Sequence, residues 1–101
     1  MADRLELQRK FEELLGSRNV YYQPPENLKM NYPAIRYSLG GIETRSADNK
    51  KYSKLNRYDG IVISRKVDPE VINHILELQY VSFSKPYIVE NLYHYPFIIY
   101  H

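Results

Sequence analysis

Residues Ile61-Val62-Ile63 are an unbroken run of β-branched side chains. A strand that is apolar at every position has to be covered on both faces, so the run predicts a central strand, Tyr58 to Arg65, with neighbours on either side. A chain of 101 residues has room for one such core. Residues 1–101 are therefore read as a single domain, and each other segment is read by what it adds to covering that strand.

The first contribution is a helix. Leu7, Phe11, Leu14 and Leu15 recur at helical spacing, with Glu6, Arg9, Lys10, Glu12 and Glu13 on the opposite side. Asp3 is placed to cap this helix and Gly16 to stop it. Glu6 with Lys10 and Arg9 with Glu13 stand at i, i+4, ordinary surface pairs worth about 0.2–0.5 kcal/mol each. A second helix is expected after Asp68-Pro69-Glu70. There Asp serves as a cap, Pro pre-sets the first turn, and Glu suits the positive end of the dipole. Val71, Ile72, Ile75 and Leu76 are then expected to face the sheet.

Four further strands complete the sheet. Asn19 to Gln23 is a short aromatic strand ended by Pro24-Pro25, and 24–33 is a loop. From Ala34 to Arg45, Ile35, Tyr37, Leu39 and Ile42 form the apolar side and Arg36 and Ser38 point outward, with a bulge or bend at Gly40-Gly41. Val81 to Ser84 is a strand, as is Tyr93 to Tyr100, which alternates Tyr93, Tyr95, Phe97, Ile99 against His94, Pro96, Ile98, Tyr100. Pro96 cannot donate to a ladder, so the last strand is expected at an edge or paired on one side only there. Ser46 to Arg57 reads as a long hairpin tip. The resulting order is α-β-β-β-α-β-β, an α+β domain with both helices on one face of a mainly antiparallel sheet.

Composition narrows the chemistry. The chain has no cysteine, which excludes a disulfide framework, a thiolate nucleophile and a Cys-based zinc site. The first residues are charged, and no long apolar run follows, so neither a secretory signal nor a membrane anchor is expected and synthesis in the cytoplasm is. Lys plus Arg number 14 against 12 Asp plus Glu, a net charge of +2 too small to make polyanion binding the main business of the fold. Eleven Tyr and three Phe, with no Trp, supply rings whose polar tips suit sheet margins and protein interfaces.

The residue types that carry catalysis do not converge. His74, His94 and His101 fall on a helix, on a strand and at the last residue, without helical HxxxH or HxH spacing. The acidic residues are scattered over helix faces and turns. No GxSxG elbow occurs, and Gly40-Gly41 precedes neither a helix nor a P-loop Lys-Ser/Thr. The reading is of a protein without an active site, metal, cofactor or small-molecule substrate. The residues singled out are those suited to contact: Arg45, Lys50, Lys51, Tyr52, Lys54 and Arg57 in the basic hairpin, and Tyr93, Tyr95 and Tyr100 on the last strand. The same hairpin, with Lys50–Arg57 at its heart, supports an alternative reading as a small nucleic-acid-binding regulator, although Glu43, Asp48 and Asp59 dilute its charge.

Three stretches carry a family resemblance: Tyr22-Gln23-Pro24-Pro25-Glu26-Asn27-Leu28-Lys29-Met30-Asn31-Tyr32-Pro33-Ala34-Ile35, then Ala47-Asp48-Asn49 through Tyr58, and Val89-Glu90-Asn91-Leu92-Tyr93-His94. Together they resemble small proteins encoded among the head-tail genes of long-tailed bacteriophages and prophages, a group similar to tail-completion and tail-terminator proteins. The resemblance implies a sheet flanked by helices and a homo-oligomeric ring that caps the tail tube and offers a surface to neck or connector proteins. It also implies assembly in the bacterial host cytoplasm, then residence in the virion, and it carries over no catalytic residue. A ring needs two different adhesive surfaces per protomer, which the long loop, the hairpin and the Tyr-rich strand are suited to provide. A monomer in dilute solution is compatible with this, since a tube template supplies further contacts.

Overall fold

The structure is a computed structural model describing residues 4–24, 29–47 and 51–101, and of residues 41–47 and 51–55 it describes the backbone. In chain order the elements are α1 (Arg4–Leu15), β1 (Val20–Tyr22), β2 (Ala34–Ala47), β3 (Lys51–Ser64), α2 (Val71–Leu76), β4 (Val81–Phe83), β5 (Tyr87–Val89) and β6 (Leu92–Tyr100). This is an α+β fold with a mixed, mostly antiparallel sheet of six strands, ordered β1-β2-β3-β6-β4, with β5 also on β6. The expected central strand is central: β3 runs between β2 and β6. Among the described residues, the one parallel pair is β1 with β2.

Registers sort the side chains into two faces. Ile35, Val62 and Tyr95 share one row, and Tyr37, Gly60 and Phe97 the next. On this face the helices insert Leu7, Phe11, Val71 and Ile75 into a single buried cluster. The other face carries the rows Ala34-Ile63-His94, Arg36-Ile61-Pro96 and Ser38-Asp59-Ile98. Val62 and Ile63 are both buried although they point to opposite faces, as their β-branched run requires. The alternation expected in the last strand holds from His94 on: Tyr95, Phe97 and Ile99 are buried, His94, Pro96, Ile98 and Tyr100 are half-buried, and Tyr93, expected on the buried side, is half-buried too.

Five expectations need correction or bounding. Most of the expected hairpin tip is strand: β2 and β3 stay paired from Ala34↔Ile63 out to Ala47↔Lys51, with a register shift between Leu39 and Gly41, and 48–50 lie outside the described residues. Pairing between two strands is a matter of backbone groups, which the short polar runs of this segment do not announce. Asp68 does not cap α2. It sits in the left-handed region at φ 50 and donates its N–H to the Tyr95 hydroxyl at 2.8 Å, so the helix begins after Glu70 without a side-chain cap. Leu76 is 53% exposed, because a six-residue helix buries only the stripe through Val71 and Ile75. The last strand is not an edge, since β6 pairs with β3 on one side and with β4 and β5 on the other; the other alternative holds, since Pro96 itself has a register partner, Ile61, on the β3 side alone. The expected cap Asp3 lies outside the described residues.

How β6 accommodates Pro96 explains the strand absent from the expected order. The Ser84 N–H donates to the Pro96 carbonyl at 2.8 Å, so the missing N–H of Pro96 faces that same side. Between Ser84 opposite Pro96 and Tyr87 opposite His94, three steps of one strand face two of the other. The strand bulges at Lys85-Pro86, and the ladder is interrupted where Pro96 has nothing to donate. Strand β5 then returns to β6 through Glu90-Asn91, whose φ values of 52 and 65 give the two-residue turn that matches strand twist.

The helix α1 ends as Gly16 takes a φ of 78, and its N–H bonds the Glu12 carbonyl at 2.9 Å. The helix is tied down by polar as well as apolar contacts. The Tyr37 hydroxyl donates to Gln8 Oε1 at 2.5 Å, and Gln8 Nε2 reaches the Val20 carbonyl at 3.0 Å. Burial pushes the Tyr37 phenol above its ordinary 10.0, offset in part by the hydrogen bond and charge of Arg4. The folded state therefore holds this proton more tightly than the unfolded chain. The stability that follows is present below the unfolded value and is lost as pH rises through it toward the folded one. Urea midpoints should hold to about pH 10 and fall beyond it. Tyr37→Phe should cost about 1 kcal/mol at neutral pH through the lost Gln8 bond, and should flatten the alkaline fall. An unchanged alkaline profile in the variant would remove Tyr37 as its source.

Candidate interaction surfaces

The sheet projects part of itself beyond its body. The last strand pairs with β3 out to Tyr100 opposite Arg57, and His101 exchanges backbone hydrogen bonds with Asn56 at 2.9 and 3.4 Å; beyond that point β2 and β3 continue as a two-stranded ribbon from Glu43↔Leu55 to Ala47↔Lys51. The principal extents, 51 × 24 × 22 Å, reflect this arm.

Most of the hairpin residues singled out from sequence lie along it: Arg45 is opposite Ser53, Tyr52 opposite Ser46, Lys54 opposite Thr44, and Lys51 opposite Ala47. Lys50 lies outside the described residues. Arg57 stands at the root of the ribbon. It donates from Nη2 to the Gly40 carbonyl at 3.2 Å, and its Nε lies 3.5 Å from Asp59 Oδ1. That Nε is buried and makes no hydrogen bond among the described residues. With both side chains more than a third exposed, the pair adds little to stability.

The three tyrosines separate. Tyr95 is only 7% exposed, with its ring in the helix-covered cluster and its hydroxyl bonded to Asp68, so it is a core residue. Tyr93 packs against the same cluster from its margin. Tyr100 lies beside Arg57 on the face without helices.

That face holds a shallow groove of about 440 Å³, its floor made by Ile61, Pro96 and Ile98 and its rim by Arg36, Arg57 and Asp59. The alternation of β2 signals it, since Arg36 and Ser38 point away from the core. A second hollow, of about 340 Å³, lies where Leu14 and Leu15 meet Val71 and His74. Tyr32 beside it carries the Arg65 guanidinium 5.5 Å from its ring centre. The His74 ring bonds the Leu14 carbonyl at 3.2 Å, joining the two helices. Among the described residues, no three His, Asp or Glu side chains gather as a metal site, and no helix is long and apolar enough to cross a membrane.

The surface that sequence reasoning missed is β5. Tyr87, Ile88 and Val89 are 45%, 61% and 48% exposed, and the Tyr87 ring stacks on His94 at 4.9 Å. The run is β-branched and aromatic, which signals a strand, but Glu90 in place of glycine conceals the turn. No family model and no curated protein matches the chain.

Proposed function

We propose that the protein is a structural, non-enzymatic component of the tail-head joint of a long-tailed phage or prophage, forming a ring that caps the tail tube and presents a surface to the neck. The observation that carries the reading is the ribbon of residues 43–47 and 51–55, which leaves the body of the sheet and whose strands pair only with each other among the described residues. An arm whose two strands reach past the rest of the sheet suits docking to a neighbour. The resemblance of the stretches around it to head-tail proteins supports the same role. Its partners are other copies of the chain, the tail tube and the neck or connector proteins, met in the bacterial host cytoplasm and kept in the virion.

The test is complementation. Lys50→Glu combined with Lys54→Glu reverses charge on the arm, so folding stability should change by no more than about 0.5 kcal/mol. Charges at an interface rim guide association and partner choice, so a phage lacking the gene should be rescued at least about tenfold less well, with heads and tails left unjoined. Normal titres from the folded variant would take the arm out of the interface. The runner-up reading, nucleic-acid binding through the arm, predicts DNA affinity that falls steeply with salt. The structural reading predicts little binding at physiological salt.

A further inference from the structure

Backbone parity along β6 shows which groups β5 leaves free. Even-numbered residues of β6 turn toward β4 and β5: the Pro96 carbonyl accepts from Ser84, and the Tyr100 N–H donates to the Tyr80 carbonyl at 3.1 Å. Tyr87 lies opposite His94, and Val89 opposite Leu92, so Tyr87 and Val89 use their backbone groups on β6. The N–H and C=O of Ile88 point away from the sheet. Among the described residues, the outer edge thus presents an unpaired donor and acceptor in the middle of three consecutive exposed apolar side chains, a combination that sheet edges usually avoid. A turn with the left-handed non-glycine residues Glu90 and Asn91 holds it there.

We propose that β5 recognises β5 of a second copy, the two strands pairing antiparallel with Ile88 opposite Ile88. This is a register that parity allows, because opposed residues must both turn toward each other, and it exchanges two hydrogen bonds between the Ile88 residues. It sets Tyr87 of each copy opposite Val89 of the other, an aromatic–β-branched pair formed twice, and Ile88 against Ile88 on the opposite face. All three exposed apolar residues are covered by their own kind.

Charge selects the direction. Lys85 and Glu90 flank the strand at its two ends. Antiparallel pairing brings the Lys85 end of one copy to the Glu90 end of the other, whereas parallel pairing sets like charges together. The two-fold axis lies perpendicular to the sheet, so both helix layers stay on one side and do not obstruct the approach. The contact is isologous and independent of the proposed ring, whose heterologous contacts lie elsewhere on the protomer. Three residues per strand bury less than a standard interface, so the dimer should be weak and form reversibly.

Sedimentation equilibrium from about 10 μM to a few mM should show a reversible monomer–dimer equilibrium. Ile88→Pro removes the outward N–H and leaves the Tyr87 and Val89 bonds to β6, and should weaken the dimer about tenfold or more. Ile88→Lys, which places like charges opposite each other, should do the same, and amide spectra confirm that each variant is folded. Lys85→Glu alone and Glu90→Lys alone should each be poorer dimers, yet their mixture should associate, because both mixed contacts again join opposite charges. A wild-type chain monomeric at the highest concentration, a dimer indifferent to both Ile88 variants, or a mixture no better than its components would overturn the proposal.

Discussion

Phe11→Ala should lower the stability of the domain by about 3–5 kcal/mol, a large share of the roughly 5–15 kcal/mol that holds a domain of this size together. Phe11 is fully buried and stands edge-on to two rings, Tyr37 at 5.2 Å and Phe97 at 5.8 Å. It is one of two side chains by which α1 is completely inserted into the core, the other being Leu7. Truncation removes the transfer free energy of a benzyl group and leaves a cavity walled by sheet side chains that cannot follow a retreating helix. Each edge-on pair adds about 0.5–1.5 kcal/mol beyond area burial. The urea midpoint should fall with the slope unchanged. A shift worth under about 1 kcal/mol would mean that α1 is not seated on this face.

The second large effect is expected where the sheet has no side chain at all. A Cβ added at Gly60 would lie 2.3 Å from Phe97 Cζ, with two further ring atoms within 2.8 Å. The ring of Phe97 therefore lies directly over the backbone of the central strand. It has nowhere to go, because Phe11 stands against it and Phe83 packs 5.2 Å away. Gly60→Ala should cost about 3 kcal/mol from overpacking, less the ~0.4–1 kcal/mol recovered by stiffening the unfolded chain. The cause is separable by a cycle: with Phe97→Leu in the background, the Gly60→Ala penalty should shrink by about 1–2 kcal/mol. An additive double variant would show that the cost comes from backbone conformation rather than from the ring.

Gly60 also illustrates where a sequence is opaque. Ile61-Val62-Ile63 and the alternation from Tyr93 to Tyr100 were legible because a single strand carries its own signal of burial. That Gly60 stands across from Phe97 depends on register between strands more than thirty residues apart, which no local pattern encodes. The extent of the ribbon was hidden for a related reason: its pairing is satisfied by backbone alone, and Lys51, Ser53 and Lys54 look like a loop. Among the candidate contact residues, the basic arm was found from composition. Tyr95 was placed there too, because an aromatic ring with a hydroxyl looks alike on an interface and in a core; the bond from the Asp68 N–H makes the difference. Strand β5 was concealed by Glu90-Asn91, a turn whose shape glycine normally announces.

The arm described above also changes how the molecule moves. Its radius of gyration is 14.5 Å, against about 13 Å for a compact globule of this length. Friction grows with such elongation, so gel filtration should return an apparent mass above 12.1 kDa even for a lone protomer. Tumbling should be anisotropic, with amide vectors along the arm relaxing differently from those across it. An early elution peak would thus be the signature of a shape, and weight-based methods are the ones that count protomers.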